Sequence, residues 1–157
     1  MALEIRTLSP DSPVAVELIQ ELDADLLQRY TREWIHTLHP EDVVNPGLIF
    51  AVGYLKETPV ACGALRPLND GVAEVKRMFV RQVYRGRGYS KEVLAFLEKE
   101  ARRLGFTKLR LETGSRLTEA VRLYETAGYR LIPRFGEYVG NPYSLCYEKD
   151  IDGASRQ

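Results

Sequence analysis

The sequence predicts an α+β fold, a mixed sheet with helices on its faces. Two observations lead there. Short β-rich runs joined by tight turns fill the first half, and strand–helix–strand units fill the second. At 157 residues the chain has room for one compact domain, expected to span 1–157.

Leu3 to Leu8 alternates and reads as a first strand. Asp11-Ser12-Pro13 is a helix start, a capping oxygen followed by proline in the first turn. Leu18, Leu22 and Leu26 then recur every four residues, which predicts an amphipathic helix to about Arg29. Tyr30 to Pro46 holds Trp34, His36, His39 and two prolines and reads as a short helix plus a loop. Leu48–Leu55 and Pro59–Arg66 form a hairpin across Lys56-Glu57-Thr58. Asn69-Asp70-Gly71 is the next turn.

Val72 to Val80 is a third run. Strict alternation places Val72, Glu74, Lys76, Met78 and Val80 on one face and Ala73, Val75, Arg77 and Phe79 on the other. From Tyr89, the stripe Val93, Leu94, Leu97, Ala101 and Leu104 predicts a helix stopped by Gly105. Thr107–Glu112 is a strand and Thr118–Ala127 a second amphipathic helix. Tyr129–Pro133 and Tyr143–Lys149 complete the sheet.

Lysine plus arginine equals aspartate plus glutamate, 22 each, so no overall field favours nucleic acid. No apolar run approaches the roughly 20 residues of a membrane span. The first ten residues carry Glu4 and Arg6 and lack the apolar core of a signal peptide, so a cytoplasmic location is expected. Cys62 and Cys146 read as buried thiols. The His36/His39 pair has no further histidine or cysteine nearby, and no metal site is expected.

Tyr84-Arg85-Gly86-Arg87-Gly88-Tyr89-Ser90, between a strand and a helix, carries the strongest chemical signal. Glycines let several backbone N–H groups point into one concavity, and the following helix adds the positive end of its dipole. With Arg85 and Arg87 this reads as a pyrophosphate site, the alternative being a plain tight turn with exposed arginines. It is not a Walker loop, because Gly88 is followed by Tyr89. It is not a dinucleotide fingerprint either, because Lys91 stands where the third glycine belongs.

Here the chain resembles the GNAT superfamily of N-acetyltransferases. Ala73–Val80, then Arg85-Gly86-Arg87-Gly88, then the helix, is similar to that family's acetyl-CoA motif. Ala120-Val121-Arg122-Leu123-Tyr124, ending in Gly128-Tyr129, resembles its second signature. The resemblance implies a mostly antiparallel sheet splayed like a V beside Val80, with acetyl-CoA as cosubstrate in the gap. By position, Met78, Phe79 and Val80 would contact the pantetheine arm, and Arg85, Gly86, Arg87, Gly88, Tyr89 and Ser90 would cradle the pyrophosphate. Tyr124 would be the general acid toward the departing thiolate. Glu74, on the same face as Met78 and Val80 by alternation, would be the base, with Glu112 as a second candidate. The resemblance implies a small-molecule primary amine as partner, attacked in a ternary complex. Homodimer formation is compatible with it. The alternatives are a protein lysine or N-terminus as acceptor, or a module that binds acyl-CoA without turnover.

Overall fold

The computed structural model describes residues 2–151. Seven strands form one sheet: β1 (Glu4–Leu8), β2 (Ile49–Leu55), β3 (Thr58–Pro67), β4 (Val72–Val80), β5 (Lys108–Gly114), β6 (Arg130–Ile132) and β7 (Ser144–Asp150). The spatial order is β1-β2-β3-β4-β5-β7-β6. Every neighbouring pair is antiparallel except β4–β5. The four α-helices are α1 (Pro13–Leu26), α2 (Pro40–Val43), α3 (Tyr89–Arg103) and α4 (Thr118–Thr126).

Helix α1 starts as its sequence dictates. The Ser12 side chain accepts a hydrogen bond from the Ala15 N–H, and Pro13 fills the first turn. It ends at Leu26, a turn short of the expected Arg29, because the chain breaks away toward Tyr30. Ala15, Leu18 and Leu22 pack on Phe50, Val52, Cys62, Ala64 and Phe79, which makes a core on one face of the sheet. On the other face, Val93, Leu94, Leu97 and Ala101 of α3 cover Ala61, Leu65, Ala73, Val75, Leu109 and Leu111. Helix α4 joins that layer through Tyr124. Helices therefore lie on both faces, and burial of each leucine contributes roughly 1.5–3 kcal/mol.

Two irregularities in β4 shape the molecule. The first is a bulge. Cys62 pairs with Phe79 and Ala64 with Lys76, so one residue of β3, Gly63, faces two of β4, Arg77 and Met78. Arg77 takes the extra place with φ +57°, in the left-handed region. The expected alternation therefore breaks. Val75, Met78 and Val80 pack toward α3, whereas Phe79 packs toward α1, and Lys76 pairs with Ala64 of the α1-side core. Glu74, two residues before Lys76, lies on that α1 side, opposite Met78 and Val80, which corrects the face assigned to it from alternation.

The second irregularity is the splay. β4 pairs with β5 only from Val72 to Val75, while β5 goes on pairing with β7 as far as Gly114. Lys76 to Val80 thus present an edge unpaired toward β5, and the sheet opens into a V. Arg77 braces this point. Its guanidinium is ion-paired with Asp23 of α1 and donates to the His36 carbonyl at 3.1 Å.

Candidate active site

The V opens into a cleft of about 290 Å³. One end is bounded by Tyr84 to Gly86 and Gly88 to Ser90, with Arg87 outside the lining, the middle by Lys76 to Val80 and Tyr124, and the other end by Tyr30, Trp34, His36, Asn141 and Tyr143.

The loop end is built for an anion. Gly86 and Gly88 have φ of +79° and +82°, and Gly88 is the residue that precedes the first turn of α3. The N–H groups of Gly86, Arg87 and Gly88 find no backbone partner among the described residues, and those of Tyr89 and Ser90 are the unpaired donors of a helix start. A Cβ added at Gly86 or Gly88 would meet no atom within 4 Å, so the concavity is open. Five free amides at a helix N-terminus suit a pyrophosphate. The two arginines differ. Arg85 turns back, donating to the Val80 carbonyl at 2.8 Å and pairing with Asp25 at 3.5 Å, so it clamps the loop to α1. Arg87 is exposed over the Tyr84 ring and is the positive charge left beside the amides. The Tyr89 ring is buried in the core, so Tyr89 offers the cleft chiefly its backbone.

Tyr124 lines the middle of the cleft. Its ring is buried and meets Tyr129 edge-on at 5.9 Å. Tyr129 is tied in turn to Glu98 of α3 at 2.8 Å, which fixes α4 against the sheet. Burial, with the charge of Glu112 adding to it, raises the Tyr124 phenol well above its usual range. The hydroxyl therefore keeps its proton at neutral pH and is a donor.

Glu112 also lines the cleft, accepting a hydrogen bond from the Ser144 hydroxyl at 2.6 Å. Burial lifts its carboxyl above the usual 4.5, and Glu74 adds to the effect, against the pull of Ser144, His36 and Lys76. Glu74 does not line the cleft. Its side chain is fully buried, 3.0 Å from the Arg66 guanidinium, and accepts from the Tyr138 hydroxyl at 2.5 Å. Arg66 is held also by Asp42 at 2.8 Å, and Lys76 donates to Tyr138 at 2.8 Å. Glu74 is thus the centre of a closed network that joins β3, β4 and the turn carrying Tyr138. A carboxylate with both oxygens occupied and no path to the cleft is in no position to take the acceptor's proton, which corrects the expectation placed on it.

The far end of the cleft was not assigned to the site by sequence. Glu137 accepts from or pairs with both histidines, His36 at 3.1 Å and His39 at 3.1 Å. Against the upward push of burial, the hydrogen bonds from His36 and His39 and the charge of Lys76 hold the Glu137 carboxyl below its usual range. The Tyr143 N–H donates to Asn141 Oδ1 at 2.9 Å, which points the amide nitrogen at His36 Nε2, 3.0 Å away. The wall is therefore stitched from two segments about 100 residues apart. The only sequence signal for it was the aromatic density of Tyr30 to Pro46 and of Phe135 to Tyr147.

A splayed sheet with an amide cradle at one end and a protonated tyrosine at its centre defines an acyl-CoA-dependent acyltransferase architecture. The family model for the acetyltransferase (GNAT) family matches residues 15–129, and the chain belongs to that family. It is similar to an IAA acetyltransferase from Azospirillum brasilense, 36% identical over 149 residues, covering 92% of this chain and 97% of the relative. It is also 31% identical over 121 residues to the N-acetyltransferase YsnE of Bacillus subtilis, covering 76% and 80% of the two chains. Among solved structures, a Klebsiella pneumoniae protein assigned as an acyl-CoA N-acyltransferase superposes with a TM-score of 0.80 at 29% identity, covering 95% of this chain and 97% of that one. An N-acetyltransferase from Thermoplasma acidophilum, crystallised with coenzyme A, shares the fold with a TM-score of 0.71 at 19% identity, covering 96% and 99%. Acetyl-CoA is the cosubstrate of this family. Among the described residues no helix is long and apolar enough to cross a membrane.

Proposed function

We propose that this protein transfers the acetyl group of acetyl-CoA to the primary amine of a small molecule, by direct attack in a ternary complex. The observation that carries this reading is the convergence of Glu112 and Tyr124 on one cleft, whose opposite ends are an amide cradle and an aromatic wall.

The acceptor enters as an ammonium and must lose a proton before it can attack. Glu112, partly desolvated and with a raised pKa, accepts that proton directly or through one water. The amine nitrogen then bonds to the acetyl carbon, and the carbonyl electrons move onto oxygen. A backbone N–H on the free edge near Phe79 or Val80 stabilises that charge. The carbonyl re-forms as the carbon–sulfur bond breaks, the leaving thiolate takes the proton of the Tyr124 hydroxyl, and the extra proton left on the new amide nitrogen passes to water. Proton transfer to and from solvent resets both side chains. Arg87 and the amides of 86–90 bind the pyrophosphate, while Met78 and Val80 contact the pantetheine arm along the unpaired edge.

The walled acceptor end favours a small acceptor over a protein segment, since Trp34, Tyr143 and the His36–Glu137 stitch narrow it. Free-thiol release measured across a panel of small amines, amino acids and peptides tests this. Release only with peptides would overturn the choice of acceptor, and tight acetyl-CoA binding with no release under any condition would favour a binding module.

A further inference from the structure

Beside the acceptor end of the cleft runs a shallow groove whose walls are Tyr30, Trp34 and Tyr143, residues that line the cleft as well. Arg29 also lines both spaces, so the groove adjoins the acceptor end of the cleft.

The chemistry of that groove is unusual. Arg116 lies over the Tyr143 ring at 4.5 Å and over the Tyr30 ring at 5.4 Å. Its Nη1 donates to the Arg29 carbonyl at 2.8 Å, and its backbone N–H donates to the Tyr30 hydroxyl at 2.9 Å. The guanidinium is thus held in place over the two rings, while its Nε and Nη2 donors find no partner among the described residues. Arg29 lines the same groove. Neither arginine has a carboxylate within ion-pair distance among the described residues, although most other arginines near the cleft do: Arg66, Arg77, Arg81 and Arg85 are all paired. The carboxylate of the groove, Glu33, accepts from the Thr31 hydroxyl at 3.3 Å.

Three aromatic rings near a cleft would suit a cationic ligand if their faces were open. Here Arg116 already covers the faces of two of them, so a second cation would be repelled. A planar, oriented guanidinium with free donors suits a carboxylate.

We propose that Arg116 and Arg29 bind the carboxylate of the acceptor, and that the acceptor is a small amino acid or related amino carboxylate. The inference rests on the acyl-transfer reading of the cleft. Glu112 takes the ammonium end and Arg116 the carboxylate end, so the two charges of the substrate fix its direction in the site. An amine without a carboxylate loses the second anchor and binds without a fixed orientation.

The chain has a single tryptophan, Trp34, and it lines both spaces, so its fluorescence reports occupancy without turnover. In the presence of coenzyme A, the protein is titrated with a panel of amino acids, each against its carboxamide and its decarboxylated amine. Free-thiol release from acetyl-CoA is measured with the same compounds. The expected result is saturable binding at least about tenfold tighter for the carboxylate than for its amide, weakened by salt, with a similar preference in kcat/KM. Arg116→Gln should cut the preference several-fold, the double variant Arg29→Gln/Arg116→Gln should abolish it, and Arg116→Lys should keep part of it; melting temperatures read beside these separate lost binding from the lost contacts of Arg116 with Tyr143 and the Arg29 carbonyl. Equal binding of acid and amide, no binding of any amino acid, or a preference undiminished by Arg116→Gln overturns the proposal. Amino-acid binding without thiol release would leave the carboxylate site standing and sink the acyl-transfer reading. Release with no carboxylate preference would do the reverse.

Discussion

Glu74 and Met78 are four residues apart on one strand, yet they face opposite sides of the sheet. In a regular strand an even separation keeps two side chains on one face. The extra residue at Arg77, with φ +57°, reverses the relation. The same bulge sits where β4 parts from β5, so the feature that takes Glu74 out of the cleft also marks where the cleft begins.

The two carboxylates should therefore separate in experiment. Glu112→Gln removes the proposed base and should lower kcat strongly. The sign of its effect on stability follows from its raised pKa. The folded state binds the Glu112 proton more tightly than the unfolded chain does. Its contribution to stability is thus fully present below the unfolded value, near 4.5, and is lost as pH rises through the higher folded value. At neutral pH the charged carboxylate is a burden on folding, so Glu112→Gln should melt no lower than the parent. The acidic limb of the pH–rate profile should lie above the ordinary carboxylate range and vanish in the variant. An unchanged limb would exclude Glu112 as the base.

Glu74→Gln should show the opposite pattern. It weakens the charged contacts with Arg66 and Lys76, both drawn into the same buried network, and should destabilise by roughly 1–3 kcal/mol. The pH–rate profile should keep its acidic limb, moved to lower pH because the charge of Glu74 no longer helps to raise Glu112. Thermal unfolding read beside steady-state kinetics decides, and a normal melting temperature with collapsed turnover would return Glu74 to the chemistry.

Tyr124→Phe deletes one hydroxyl and keeps the ring that meets Tyr129. Loss of a general acid lowers kcat by roughly 10²–10⁴-fold, and acetyl-CoA affinity and melting temperature should stay near the parent values. Weakened acetyl-CoA binding at full turnover would instead make Tyr124 a cofactor contact.

Gly88→Ala tests the cradle. A Cβ there meets no protein atom, so crowding against the protein is not the issue. The strain lies in φ +82°, which costs a non-glycine residue roughly 1–2 kcal/mol. The melting temperature should fall by about 2–8 °C. The Kd for acetyl-CoA, measured by calorimetry, should rise about tenfold or more as the amides lose their common aim. An unaltered Kd would locate the pyrophosphate elsewhere.

Gly63→Ala probes the floor of the cleft from below. Its Cβ would meet Met78 Sδ at 2.5 Å, Val93 Cγ1 at 2.9 Å and Leu97 Cδ1 at 3.0 Å. Overpacking of this kind costs roughly 1–3 kcal/mol, and calorimetric unfolding should register it. A variant as stable as the parent would mean that Met78 moves aside freely, and its contact with the pantetheine arm should then weaken.

The elements, the glycine loop and the family resemblance were all readable from neighbouring residues. Ser12-Pro13 starts α1, the leucine spacing gives its buried stripe, and Gly86 and Gly88 mark the turn into α3, because capping, helical period and left-handed φ are local properties carried by neighbouring residues. Tyr124 and Glu112 entered as candidates through the family resemblance, and the structure places both on the cleft. Only the tertiary structure decided the face of Glu74, the turning back of Arg85 onto Val80 and Asp25, and the wall in which His36, Asn141, Tyr143 and Arg116 meet. A bulge is set by how β4 registers against β3, and the wall joins segments about 100 residues apart. Both depend on which parts of the chain pack together, and no local spacing encodes that.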